Sequence, residues 1–208
     1  MESGVRVPQQ KRSIEKRNAV VRAGWELFCE KGYYQTNTAE IAKHAGVSTG
    51  IVYHYFQDKK AILKEVVTLY IAGLEERVLE LLELPSDKSS LMGALERMID
   101  AAAASHTMDR AAHDEFMALA LLDDEIRSLF DSFEERILES MGIKLRKAGL
   151  QVQSLPIRLR ICYGIVEEVC HAYVDGRISP EEFPAARTLA AAAMTRLLDE
   201  SDDRRERS

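Results

Sequence analysis

Apolar residues recur every three or four positions along almost the whole chain, and no stretch alternates apolar and polar residues as a half-buried strand would. The pattern predicts an all-α protein of about nine helices. Ile14, Val21, Trp25 and Phe28 share one face of a first helix from Ser13 to Lys31, which Gly32 stops. Asn37 and Glu40 stand at capping-box spacing at the head of a second helix, and Gly46 ends it after barely two turns. Ser48 caps a third helix of similar length that finishes at Phe56. Asp58 caps a fourth, whose Ile62, Val66, Leu69 and Leu74 carry it to about Leu84.

Pro85-Ser86-Asp87 marks the clearest break, and larger helices follow it. Leu91, Leu95, Met98, Ile99 and Ala102 keep helical spacing to about Ala104. Asp109 caps a short helix holding Phe116, Met117 and Leu121. Ile126, Phe130, Phe133, Ile137, Met141 and Leu145 form a long amphipathic stripe closed by Gly149. The segment from Pro156 to Asp175 is apolar on most sides, as a helix buried on several faces should be. Ser179-Pro180-Glu181-Glu182 combines a cap, an N1 proline and an N3 glutamate, and predicts the start of the last helix there. The expected division is a head at 1–60, a helical body at 61–200 and a charged tail at 201–208.

An isolated helix shorter than ~12 residues is marginal in water, so the helices at 38–45 and 48–56 must hold each other across the turn at Gly46. That is a helix-turn-helix arrangement. Ile41, Ala42, Ala45, Val47, Val52 and Phe56 are expected to pack inward against Trp25 and Phe28, with Tyr55 in a packing role as well. Thr49, Gly50, Tyr53 and His54 are then left on the outer side. Small residues at the start of the short helix allow close approach to a groove, and ring tips can donate to phosphate oxygens.

Charge supports a polyanionic partner for the head alone. The chain is net −6, yet residues 1–60 hold ten Lys/Arg against six Asp/Glu, while the remainder holds 18 against 28. Three cysteines, Cys29, Cys162 and Cys170, form no close ligand pair and read as reduced thiols. No apolar run reaches ~18 residues, so neither secretion nor membrane spanning is expected, and the expected location is the cytoplasm.

From Arg17 to Leu63 the residues resemble the DNA-binding head of the TetR family of bacterial transcriptional regulators. The likeness rests on Trp25-Glu26-Leu27-Phe28-Cys29-Glu30-Lys31-Gly32-Tyr33, on Thr38-Ala39-Glu40-Ile41-Ala42, on Ala45-Gly46-Val47-Ser48, on Tyr53-His54-Tyr55-Phe56 and on Asp58-Lys59. The resemblance implies a three-helix head joined by a linker helix to a larger ligand-binding and dimerisation body. It implies Thr38 on a phosphate, Ser48, Thr49 and Gly50 at the leading edge of the recognition helix, and Tyr53 on backbone phosphate. His54 would meet backbone or base, and Lys59 a phosphate. Ala39 and Gly50 are short where some members carry longer side chains, which shifts weight to DNA shape and to the basic arm at Arg6–Arg17. The partners implied are a double-stranded DNA operator, a small-molecule effector and a second copy of the chain, with no cofactor.

In the body, Met98, Met108, His113, Met117, Tyr163, Glu167 and His171 are the candidate effector contacts. Ile161, Val169, Leu189, Ala190, Ala193 and Leu197 are the candidate dimer contacts. Glu167, Glu168 and His171 interrupt an otherwise apolar helix, and if buried each needs a partner; one glutamate is expected at the interface and the other is open. A metal site using His106 and His113, with Glu115 and His171, is weighed and set aside because helix breaking is expected near Thr107. The alternatives to a regulator are an architectural DNA-binding protein whose body only dimerises, and an enzyme. Against the enzyme, the chain has no nucleophile elbow, glycine-rich phosphate loop or HExxH.

Overall fold

The computed structural model describes residues 11–81, 91–108, 110–150 and 152–199. Nine helices stand among them, and no strand. They are α1 (Lys11–Lys31), α2 (Thr38–His44), α3 (Thr49–Tyr55), α4 (Lys59–Leu81), α5 (Leu91–Met108), α6 (Arg110–Leu122), α7 (Asp124–Lys147), α8 (Leu155–Val174) and α9 (Phe183–Leu197). Asp109, the Pro85 break and the tail from 201 lie outside the described residues.

Local signals place the early helices. The Asn37 side chain accepts from the Glu40 N–H at 3.0 Å while Glu40 accepts from the Asn37 N–H at 3.0 Å, a complete capping box for α2. Ser48 Oγ accepts from the Ile51 N–H, and Asp58 Oδ1 accepts from the Ala61 N–H at 2.7 Å, opening α3 and α4. Gly32 at φ +87 and Gly46 at φ +66 turn the chain left-handed after α1 and α2, where a side chain would be strained.

The last helix starts later than its sequence predicts. Ser179 and Glu182 do exchange hydrogen bonds, at 2.9 and 3.3 Å, but they close a turn, and α9 begins at Phe183. Pro184 is the reason. It has no N–H to offer the Pro180 carbonyl, and its ring would clash with that carbonyl in a continuous helix.

The chain packs as two compact units, residues 1–72 with 111–130, and residues 73–110 with 131–208. In the first, α1, α2 and α3 bury Val20, Phe28, Ile41, Val52 and Phe56 together. Trp25 departs from expectation, because its ring meets Tyr70 of α4 at 5.9 Å and Phe116 of α6 at 5.7 Å. Tyr70 also donates to, or accepts from, His113 Nδ1 at 3.1 Å. So α6, distant in sequence, is built into the same unit as the head. Ile14 and Leu69, apolar positions expected to face inward, are 42% and 55% exposed. In the second unit α5, α8 and α9 enclose Leu95, Ile99, Leu159, Cys162, Cys170, Ala191 and Met194. Arg187 reaches both carboxylate oxygens of Asp100, at 3.0 and 2.9 Å, and Thr188 donates to Glu96 at 2.6 Å, tying α9 to α5.

Candidate nucleic-acid interface

A seven-residue helix has too few internal hydrogen bonds to persist alone, so α3 depends on what it buries. Val52 and Phe56 are at most 3% exposed, and Tyr55 is 6% exposed with its hydroxyl 2.7 Å from Ser13 Oγ of α1. Tyr55 therefore packs, as expected. These anchors leave Ser48, Thr49, Gly50, Tyr53 and His54 on the open side, Tyr53 at 55% exposed. A Cβ built on Gly50 would meet nothing nearer than Ser48 Oγ at 3.9 Å. The fold itself does not require glycine there.

Ser48 spends its oxygen on the helix cap, so its place in the interface is the first exposed backbone of α3 as much as its hydroxyl. Thr38, half-buried, opens α2. The first main-chain N–H groups of a helix carry the positive end of its dipole, which suits phosphate.

Lys59 is held more tightly than sequence suggests. Its ammonium donates to the carbonyls of Tyr33 and Thr36, both at 2.7 Å, and burial lowers its pKa. Two of its three protons close the turn between α1 and α2, and one is left for a phosphate. Reading along the sequence missed the other supports of that turn. The Thr36 hydroxyl, 2% exposed as a residue, donates to the Gly32 carbonyl at 2.9 Å. Glu115 of α6 accepts from the Tyr33 N–H at 2.6 Å. Lys60 pairs with Asp123 at 2.8 Å and Glu125 at 2.7 Å, and Lys64 with Glu125 at 2.7 Å. No spacing rule links residues so far apart in the chain.

In the basic arm, Lys11, Arg12 and Lys16 are exposed, whereas Arg17 is committed to Glu65 at 2.8 Å and lies over the Phe56 ring. Arg6 lies outside the described residues.

The candidate effector residues divide between the units. His113 and Met117 lie half-buried on α6 in the first. Met98, Tyr163, Glu167 and His171 are half-buried in the second, and Met108 is 72% exposed at the end of α5. Glu167 lies 3.7 Å from His106 and 3.9 Å from His171, while Glu168 pairs with Arg177 at 2.7 Å. Burial works against charge on His106, but the nearby Glu167 carboxylate and the Ala102 carbonyl more than offset it, and its pKa is raised. Among the candidate dimer residues, Ile161 and Leu189 are 48% and 72% exposed, and Ala193 is exposed. Val169 and Leu197 are half-buried. Ala190 differs, being 7% exposed in the core of its own chain.

Residues 20–66 match the family model described as bacterial regulatory proteins, tetR family. The HTH-type transcriptional regulator HbdR of Aromatoleum sp. (strain CIB) is 36% identical over 87 residues, 42% of this chain and 35% of that one. The chain thus aligns with about a third of that relative. The fatty acid metabolism regulator protein of Bacillus subtilis (strain 168) is 27% identical over 162 residues, 74% of this chain and 81% of that one. A solved Mesorhizobium loti MAFF303099 structure, assigned to the TetR family of transcriptional regulators, superposes with a TM-score of 0.69 at 23% identity, covering 89% of this chain and 97% of that one. Residues 20–66, with their capped helix-turn-helix, thus match the head of the TetR family of bacterial regulatory proteins, and the chain as a whole shares the all-helical fold of a solved structure assigned to that family.

Proposed function

We propose that this chain is a DNA-binding transcriptional regulator, acting as a homodimeric repressor that a small-molecule effector releases from its operator. The observation that carries the reading is α3 itself. Its buried side packs into the head, and its open side presents Thr49, Gly50, Tyr53 and His54, all exposed among the described residues. Tyr53 and Lys59 would hold phosphates, which fix register, and Thr49 with Gly50 would face base edges in the major groove. Thr38 and Ser48 would offer the starts of their helices to the backbone, and His54 backbone or base. Two heads related by a two-fold axis would read half-sites about one helical turn apart.

The exposed apolar residues Ile157, Ile161 and Leu189 on α8 and α9, together with exposed Ala193, support pairing through these two helices. A four-helix interface would bury them, and two-fold pairing is the commonest outcome. Effector binding in the body would favour a head spacing that no longer fits two half-sites, a shift of population between states. The half-buried polar groups Tyr163, Glu167 and His171 of the second unit are the proposed contacts for such a molecule. Because the relative aligned over 81% of its length is a fatty acid metabolism regulator, genes of fatty-acid metabolism are the first place to look for operators.

The test is binding to a library of single-base operator variants at several salt concentrations. Thr49→Ala should change preference at one base pair per half-site by roughly 1–3 kcal/mol, and Tyr53→Phe should weaken all sequences alike by about 1 kcal/mol. If Tyr53→Phe changes base preference while Thr49→Ala lowers affinity evenly, the docking is wrong.

A further inference from the structure

The second unit gathers three donor groups that DNA recognition leaves unused. Glu167 and His171 stand four residues apart on α8 and so share one face, a turn apart. His106 comes from the last turn of α5. Glu167 Oε2 lies 3.7 Å from His106 Nε2 and 3.9 Å from His171 Nε2. The two imidazole rings meet edge to face with centroids 5.2 Å apart, and one nitrogen of each lies within 4.8 Å of the other. The side chains are 11%, 28% and 35% exposed for His106, Glu167 and His171. The three groups are thus partly closed off from solvent, His106 most of all.

The tautomer of His106 follows from its backbone contact. Nδ1 lies 2.8 Å from the Ala102 carbonyl, which can only accept, so Nδ1 carries the hydrogen. Nε2 is left to point towards Glu167. In the neutral ring that nitrogen presents a lone pair to a carboxylate oxygen, and two electron-rich atoms do not settle face to face. A proton or a metal cation between them satisfies both.

We propose that His106, Glu167 and His171 form a binding site for one divalent late transition-metal ion of the zinc class. Two imidazoles and one carboxylate make a three-ligand zinc set with the fourth position open to water or to an incoming ligand. Zinc–ligand bonds of about 2.1 Å set tetrahedral ligand atoms about 3.4 Å apart. The two ion-pair distances exceed that by a few tenths of an ångström and the imidazole nitrogens lie within 4.8 Å of each other, so side-chain rotation must draw the three groups together on binding. The Ala102 carbonyl on Nδ1 is the outer contact that metal-bound histidines commonly use to fix ring orientation. Glu168, held by Arg177, is turned to another partner and takes no part. The ion's competitor for the same place is a proton.

The experiment titrates Co²⁺ into the metal-free full-length protein and follows the visible ligand-field bands, then displaces Co²⁺ with Zn²⁺ in a calorimeter. One Co²⁺ per chain should bind with the intense spectrum of a four- or five-coordinate ion, and Zn²⁺ should replace it one for one. His106→Gln, Glu167→Gln and His171→Gln should each weaken binding at least tenfold, while circular dichroism shows the metal-free variants folded. Should His106→Gln not fold, Glu167→Gln and His171→Gln, both more exposed, decide alone. Absence of binding at 100-fold excess of metal overturns the proposal. So does affinity unchanged in the variants, or an intensity no greater than that of the hydrated ion. Histidine titration without any metal uptake would leave the proton as occupant and overturn it too.

Discussion

The Lys59 ammonium sits 4.1 Å from the centre of the Tyr33 ring and donates to that residue's carbonyl at 2.7 Å. With the Thr36 carbonyl as second acceptor, it joins the start of α4 to the turn that sets α2 against α1. A residue expected on phosphate is thus also a support of the helix-turn-helix. Lys59→Met should lower the melting stability of the protein by about 1–2 kcal/mol, since it leaves two carbonyls without their charged donor. It should also reduce the log–log salt slope of operator binding by about 1 per subunit. Thermal melts beside a salt titration separate the effects. A changed slope with unchanged melting would show that the carbonyl contacts do not hold the turn.

Gly50 separates folding from recognition. Space around it is open and its backbone is ordinary helix, so Gly50→Ala should leave stability unchanged or raise it by about 0.5–1 kcal/mol. A larger residue there should still fold but alter the preferred operator. The check is a melt of Gly50→Ala and Gly50→Leu alongside binding to base-substituted operators. Loss of fold in the alanine variant would place a packing constraint where the structure shows none.

Glu115 is sequence-distant from the head yet accepts the Tyr33 N–H at 2.6 Å. Glu115→Ala should strand that N–H at a cost of about 1–3 kcal/mol and weaken binding to all DNA sequences alike. Glu115→Gln keeps an acceptor and should behave nearly as the parent. Equal losses in both variants would mean that charge, and not the hydrogen bond, is what the turn requires.

The pairs of Lys60 with Asp123 and Glu125 predict an acid limb. Hydrogen bonds from Lys60 hold both carboxyls below their usual pKa. Groups with depressed folded pKa values contribute stability above their unfolded pKa, about 4, and lose it as pH falls through the folded value. Melting temperature should therefore drop below about pH 4, and the drop should be shallower in Asp123→Asn and Lys60→Met. These groups are exposed, so added salt should mute the difference. Identical acid limbs in parent and variants would show that the pairs do not contribute.

Ala193 is exposed on α9, three residues from buried Ala190. Ala193→Arg, and independently Ile161→Asp, should yield folded monomers in sedimentation and lower operator affinity at least tenfold. Ala190→Arg should instead unfold the body. A stable dimer in the first two variants would move the interface elsewhere.

What the sequence determined by itself was whatever a few neighbouring residues settle. Asn37 with Glu40, Ser48 and Asp58 each cap a helix with an atom three residues away, so chain order alone places α2, α3 and α4. The positive φ of Gly32 and Gly46 and the outward face at Tyr53 and His54 follow from the same short range. The Ser179 box shows the limit of such rules, because its bonds form while Pro184, still local, delays the helix. Tertiary structure alone decided the rest. It turned Trp25 towards Tyr70 and Phe116, gave Glu115 to the turn at Tyr33, chose which alanine of the run is covered, and brought His106 beside Glu167. Hydrogen bonds within one turn are written in spacing, whereas a side chain's partner across the fold depends on which surfaces meet when the helices pack, and helical periodicity fixes only the face.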